Sequence, residues 1–371
     1  MTRPGLPRID LGQINSVVRL EMKKILFARR GIWIYVLALL PLVLFTAYDF
    51  QASREQARRR QIANQSQRPL TYQDLLTVKS GMTNQEVIAL LGRPALNFHW
   101  REQRAQGPDS FTDVAHERYH YSDGSNDLFV ELSDGKVTDA NIQTGNSLGE
   151  DSIVFASVFQ FFYLRLAIFF GCLGIFMNLF RGEILDKSLH FYFLSPIRRE
   201  ALMIGKFLAG LLATCAIFLT SEFLQIAVFL WHFSPTVRDL YLYHNHGLED
   251  SAAYLGVTAL ACLGYGAFFL VAGMLFRNPI LPAAAILIWE AVNPFLPTLL
   301  KQFSIIYYLK SLCPVNIPSP PGTPPLLSLL ISNSDPVAAP VAILGVFIMA
   351  TLALYVSSLQ VRRMEINYTS E

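Results

Sequence analysis

The sequence predicts an α-helical polytopic membrane protein with six transmembrane helices and a small α+β extracytoplasmic domain between the first two, on three observations. Of 371 residues, 52% are hydrophobic and only 16% charged, against about 25% charged in an ordinary soluble domain. Six apolar runs reach roughly the 20 residues that cross about 30 Å of hydrocarbon at 1.5 Å per residue. One polar stretch, residues 49–152, holds 11 basic and 15 acidic side chains; it cannot sit in lipid and is long enough to fold.

The same inventory removes several function classes. A formal net charge of +2 gives no reason to expect a nucleic-acid partner. Cys172, Cys215, Cys262 and Cys313 are far apart in the chain and the first three lie in apolar runs, so neither a disulfide framework nor a zinc site is expected. No H-E-x-x-H, G-x-S-x-G or pair of membrane aspartates supports an intramembrane protease, and no G-x-x-x-x-G-K-[ST] loop is present to cradle ATP. The chain is therefore expected to be no enzyme and to bind no cofactor or metal of its own.

Residues 1–30 form the first element. Ile14, Val18, Met22 and Ile25 recur at helical spacing, with Arg19, Lys23, Lys24 and Arg30 elsewhere around the segment. The pattern suits an amphipathic helix on the inner membrane surface and equally a plain extension of the first span. That span covers 31–48; Asp49, Arg54 and Arg58 to Arg60 follow without a small-residue cleavage site, so it reads as retained. The other five spans are predicted over 153–180, 207–233, 252–276, 280–300 and 337–359. Lys and Arg number 15 on the side of the termini and 3 on the other among the short segments. Both termini, including the tail 360–371, are therefore expected in the cytoplasm and 49–152 outside.

Within 49–152, Thr83-Asn84-Gln85-Glu86 is a capping box opening a helix with an apolar stripe of Val87, Leu90 and Leu91, stopped by Gly92 and Pro94. Strands are predicted over 118–121, 127–132 and 136–142, the last two joined by Asp134-Gly135. The run from Leu75 to Pro94, containing Gly81-Met82-Thr83-Asn84-Gln85-Glu86-Val87 and Leu90-Leu91-Gly92-Arg93-Pro94, resembles the SmpA/OmlA (BamE-like) domain over a core of 71–143. That resemblance implies a helix pair on an antiparallel sheet and a protein-interaction module of the cell envelope, with an envelope protein as its partner. His99, His116 and His120 are scattered and make no catalytic set.

Residues 181–206 connect the second and third spans. Ile184, Leu185 and Leu189 share one helical face, Pro196 breaks the helix, and Gly205-Lys206 leads into the next span. An aromatic-rich amphipathic inner loop of this kind reads as a docking surface. The residues Gly182-Glu183-Ile184-Leu185, Leu189, Leu194-Ser195-Pro196-Ile197-Arg198-Arg199 and Gly205-Lys206 resemble the loop of ABC-2 type transport permeases, and the likeness covers 1–48 and 153–371. It implies a permease subunit, an exporter, in a bacterial cytoplasmic (inner) membrane. It also implies a separate ABC ATP-binding subunit as partner, through which ATP and Mg act, and a second permease copy or sister permease. Glu183, Leu185, Asp186, Leu189, Pro196, Arg198, Arg199 and Lys206 are then the candidate coupling residues. The insert departs from the family, whose first external loop is shorter. The alternative is a non-transporting scaffold that anchors the BamE-like domain.

Three charged residues fall inside spans: Arg165, Glu222 and Glu290. Burying such a charge costs about 2.5–3.5 kcal/mol on the insertion scale, so they are expected to face a partner, water or the bundle interior, with an Arg165–Glu222 ion pair the economical arrangement. Pro279, Pro282, Pro294 and Pro297 predict a bent or broken fifth helix. Residues 301–336 form an external loop, with the apolar pieces 303–312 and 326–331 as re-entrant or interfacial candidates. His244-Asn245-His246, with His232 nearby, offers no completed metal set.

Overall fold

The computed structural model describes residues 11–27, 31–66, 68–107, 110–144, 148–185, 198–231, 233–276, 278, 280–317 and 337–363. The chain divides into two compact units, Met1–Thr46 with Ser152–Glu371, and Ala47–Asp151. Helix α1 (Leu11–Phe27) comes first, followed by α2 (Ile32–Gln65). The apolar residues that predict the first span end at Tyr48, but the helix runs on for another 17 residues to Gln65. Its polar second half belongs to the smaller unit, where Ile62 is buried.

That unit adds α3 (Tyr72–Leu75), α4 (Asn84–Leu91) and the strands β1 (Leu96–Gly107), β2 (Ser110–Ser122), β3 (Asn126–Ser133) and β4 (Lys136–Thr144), antiparallel in the order β1-β2-β3-β4. Both helices start on capping boxes. Thr71 and Thr83 cap the N–H groups of Asp74 and Glu86, whose carboxylates accept the threonine N–H groups at 2.8 Å. Those backbone hydrogen bonds hold both carboxyls below the usual carboxylate range. Asp134 and Gly135 have φ of 50° and 77°, the two positive values a tight β3–β4 hairpin requires. Leu128, Val130 and Leu132 alternate onto one face of β3 and bury against Leu75, Val87, Leu91, Tyr119, Tyr121 and Val137.

Strand β1 is absent from the sequence prediction, and its composition explains why. From Arg101↔Ala115 to Gly107↔Ser110 the β1–β2 ribbon extends past the point where β3 stops pairing, at His116↔Ser133. In sequence the run Arg101-Glu102-Gln103-Arg104-Ala105-Gln106 is polar almost throughout, so no alternation marks it as a strand.

The helical unit continues with α5 (Leu148–Ser157), a π-helical segment Val158–Ile168, α6 (Phe169–Phe176) and α7 (Asn178–Leu185). Next come α8 (Arg199–Trp231), α9 (Pro235–His244), α10 (Gly247–Leu275) and α11 (Ile280–Val292). A 3-10 turn (Asn293–Phe295), α12 (Thr298–Lys301), α13 (Ile305–Ser311) and α14 (Ala339–Arg363) complete the described residues. Among the described residues five helical stretches are long and apolar enough to cross a membrane: Ile32–Gln65, Leu148–Phe180, Arg199–Trp231, Gly247–Leu275 and Ala339–Arg362. The predicted fifth span, 280–300, is instead a shorter apolar helix, Ile280–Phe295, followed by α12. Pro294 and Pro297 remove two N–H donors there and clash with the preceding turn, so the α-helix ends at Val292.

Helix α10 packs against α6, α8 and α14, and α1 packs along α8. Two of the glycines let α1 meet α8 and α10 meet the backbone at Met177. A Cβ on Gly205 would lie 2.9 Å from Val17, and one on Gly273 would lie 2.8 Å from the Cα of Met177. Either substitution would force backbones apart.

Candidate functional site

The inner loop's flanks are held by a buried charge. Lys206, on the second turn of α8, is fully buried; its ammonium donates to Glu21 Oε1 and to the Leu179 carbonyl, each at 3.0 Å. It also stands 5.5 Å from the Phe180 ring centroid. Glu21 is 3% exposed and takes a second contact of 3.2 Å from Lys24. One cation therefore joins α1, the end of the second apolar stretch and the start of the third. Sequence reasoning grouped Lys206 with the loop's docking residues; it is an interior pin, because α1 covers it.

Glu21 was missed, although the signal exists. Ile14, Val17 and Glu21 form the buried stripe of α1, and an acid within an apolar stripe calls for a buried cation. Of the other predicted loop residues, Arg198 and Arg199 are exposed, and Arg199 Nη1 donates to the Arg362 carbonyl at 3.1 Å. Arg362 in turn pairs with Glu200 at 2.7 Å, so the start of α8 also holds the end of α14. Glu183 and Leu185 lie on the last turns of α7. Asp186, Leu189 and Pro196 lie outside the described residues.

The intramembrane charges do not combine as expected. Arg165 and Glu222 form no ion pair. Glu222, on α8, is fully buried and neither carboxyl oxygen has a hydrogen-bond partner among the described residues. Tyr163 and Tyr254 lie within electrostatic reach of it, while the Tyr163 hydroxyl donates to the Phe218 carbonyl.

Arg165 lines a cavity of about 260 Å³ with Glu290, Tyr265, Phe161, Phe169 and Leu287. Glu290 accepts the N–H groups of Ile305 at 3.0 Å and Ile306 at 2.9 Å, and the Tyr265 hydroxyl at 3.5 Å. Its carboxylate thereby satisfies the orphan donors at the start of α13. Arg165 Nε is buried without a hydrogen-bond partner among the described residues. Phe161 and Arg165 both stand on the π-helical segment, a backbone form often found at functional positions.

A further buried cluster belongs to the smaller unit. Asp127 lies 3.1 Å from Arg59 Nε and 3.1 Å from His120 Nε2, and His120 stacks on Phe129 at 4.3 Å. The His120–Asp127 contact is electrostatic, since neither facing atom makes an aligned hydrogen bond. Burial alone would raise the Asp127 carboxyl; contacts with His120 and Ser122 and the Arg59 charge outweigh it and hold the group below the usual range. His99 and His116 are engaged elsewhere, His99 3.5 Å from Glu117 and His116 stacked on Trp100. His246 starts α10 and contacts Glu249 at 2.9 Å, while His232 lies outside the described residues.

Among the described residues no group of three His, Cys, Asp or Glu side chains is arranged to hold a metal ion. Cys172, Cys215 and Cys262 are distant in sequence, but Cys262 lies within hydrogen-bonding reach of both others.

Among the described residues, five apolar membrane-length helices and a small unit built on a four-stranded antiparallel sheet define the class, a helical protein with the architecture of a multi-pass membrane protein. No protein-family model, no curated protein and no solved structure matches the chain.

Proposed function

We propose that the chain is the membrane-spanning permease subunit of an ABC-2 type exporter in a bacterial cytoplasmic membrane, driven by a separate ATP-binding subunit. The observation that carries the reading is the junction at Lys206. The loop with the Gly182-Glu183, Pro196 and Arg198-Arg199 pattern leaves one membrane-length stretch and enters another. Lys206 binds the carbonyl of Leu179 just before the loop and Glu21 of α1. A force applied to the loop would therefore reach three helices through one buried cation, which is what coupling to an ATPase requires.

In this reading the short helix Ile280–Phe295 and the pieces after it supply the sixth, broken passage. Both termini lie in the cytoplasm and the unit Ala47–Asp151 lies outside, available to an envelope protein. A second permease copy or sister permease completes the pathway.

The test is copurification of the ATPase with wild-type and Leu189→Asp permease at equal expression. Removing an interface anchor costs about 2 kcal/mol or more, roughly thirtyfold in affinity, so Leu189→Asp should abolish copurification while the chain still inserts. Unchanged binding and unchanged ATP hydrolysis in liposomes would favour the scaffold role.

A further inference from the structure

We infer that the outer edge of β1 pairs antiparallel with β1 of a second copy of this chain, joining their two sheets into one. The inference gives a contact surface to the second copy of the permease reading. It rests on that reading only for a second copy in the same membrane; the pairing itself is argued from the strand.

The two edges of the sheet are treated differently. Along β4, the Gly81 N–H donates to the Val137 carbonyl at 2.8 Å, the Val137 N–H to the Met82 carbonyl at 2.8 Å, and the Asn84 N–H to the Gly135 carbonyl at 3.0 Å. The segment leading into α4 therefore occupies that edge. β1 is the opposite edge and is 12 residues long. Among the described residues its backbone makes hydrogen bonds only with β2.

Asn97, Phe98, His99, Trp100 and Arg101 are all exposed, so this half of the edge stands open. An open edge is a row of outward N–H and C=O groups that templates a further strand. The usual guards are missing: residues 96–100 include neither Lys nor Pro. The one irregularity in the β1–β2 register comes late, between Ala105 and Gly107.

The side chains select the partner. Phe98 and Trp100 stand on one face of the strand, 55% and 42% exposed, and Trp100 is stacked on His116 at 5.4 Å. The strand can supply aromatic partners from its own copy. A two-fold axis normal to the sheet at His99 sets Phe98 of each copy opposite Trp100 of the other. It also sets Asn97 opposite Arg101, and no two Lys, Arg, Asp or Glu residues of one sign face each other. Directly opposed aromatic side chains stabilise a strand pair, and like charges oppose it. Moving the axis to Arg101 would oppose two guanidinium groups, and moving it to Trp100 would set Phe98 against Glu102.

Pairing over 96–102 spans about 23 Å of strand at about 3.3 Å per residue. So narrow a contact suits partners already confined together, because confinement raises their effective concentration. Two copies held in one membrane by apolar helices meet that condition, and a free peptide does not.

The test uses the full chain in membrane vesicles, oxidised with copper–phenanthroline in air. The four native cysteines all lie in the other compact unit, so wild type is the blank. Opposed residues have Cβ atoms about 4.5–5.5 Å apart, near the reach of a disulfide. His99→Cys should therefore form a covalent dimer at least about tenfold faster than wild type, Asn97→Cys or Asp139→Cys. When Phe98→Cys and Trp100→Cys copies are coexpressed, they should join to each other faster than either joins to itself.

Adding Phe98→Lys and Trp100→Lys to His99→Cys should slow the cross-link at least about tenfold, with thermal unfolding little changed because both side chains are exposed in the single copy. No His99→Cys cross-link above wild type, or an Asn97→Cys cross-link as fast, would overturn the pairing. So would a rate unaltered by the two lysines in a chain that still unfolds normally.

Two further outcomes separate this inference from the permease reading. A dimer seen by native mass spectrometry in nanodiscs without a His99→Cys cross-link would overturn the strand pairing and leave the second permease copy standing. A His99→Cys cross-link in a chain that copurifies no ATPase would overturn the permease reading and leave the pairing.

Discussion

At the base of α8, Lys206 meets Glu21 at 3.0 Å, whereas Arg165 and Glu290 line one cavity without forming an ion pair. Both places bury opposite charges among apolar helices, yet they are built for different ends. In the first, the cation is surrounded by a carboxylate, a carbonyl and an aromatic ring, and the charges compensate each other locally. In the second, the carboxylate is engaged by backbone amides of α13 and acts on the guanidinium without contact, leaving Arg165 Nε without a hydrogen-bond partner among the described residues. The difference teaches that a buried carboxylate meets its cation side by side when nothing else claims it, and stands apart from the cation when backbone amides bind it first.

The largest expected effect tests the compensated site. Lys206→Ala takes from the buried Glu21 the cation 3.0 Å away, while the half-exposed Lys24 at 3.2 Å remains. It should destabilise the protein by an amount near the lower end of about 3–5 kcal/mol. The double variant Lys206→Met with Glu21→Leu should recover most of that loss, because an apolar pair of similar volume is often neutral. Thermal unfolding of the purified chain in detergent measures both. A double variant as unstable as the single one would break the comparison.

The cavity predicts a reversed order. Glu290→Ala orphans two N–H groups at the start of α13 and should cost about 1–3 kcal/mol for the unsatisfied donors. Arg165→Gln removes a donor that has no acceptor and should change stability by less than about 1 kcal/mol. If Arg165→Gln proved the more destabilising of the two, the cation would be structural and the contrast with Lys206 would vanish.

A third buried carboxylate, Asp127, sharpens the rule outside the spans. Arg59, its partner, lies on the polar half of α2. A fragment covering 47–151 should therefore unfold cooperatively, while one starting at residue 65 should be less stable by about 1–3 kcal/mol, since it loses Arg59 and the buried Ile62. Equal melting of the two fragments would show that Arg59 contributes nothing.

The smallest effect is on pH. Asp127, Asp74 and Glu86 all have folded-state values below the usual carboxylate range. Their contribution is complete above the unfolded values of about 4 and is lost as pH falls through the lower folded ones. Stability of the 47–151 fragment should thus be flat on this account near neutrality and decline below about pH 4. Asp127→Asn should flatten that decline, and an unaltered acid limb would refute the assignment.

The smaller unit was legible wherever its signals were local. The Thr83–Glu86 box, the stop at Gly92 and the Asp134-Gly135 turn each depend on a few neighbouring residues, and all three form. A second box, Thr71–Asp74, was equally local and was overlooked. β1 was not legible, because its outer half pairs only with β2 and shows no alternation. The apolar stretches were readable by length, but not where α2 ends or α8 begins, since polar turns at both ends continue the helix.

By itself, the sequence determined the apolar lengths, the break at Pro294 and Pro297, and the capped helix and hairpin of the small unit. Each of these follows from hydrogen bonds, backbone restrictions or hydrophobicity within one short segment. Tertiary structure alone decided which charges meet. Glu21 and Lys206 are 185 positions apart, and Arg165 finds Glu290 engaged by amides of α13 rather than finding Glu222. The physical reason is that a buried charge takes its partner from whichever helix packs against it, and no local pattern encodes that choice.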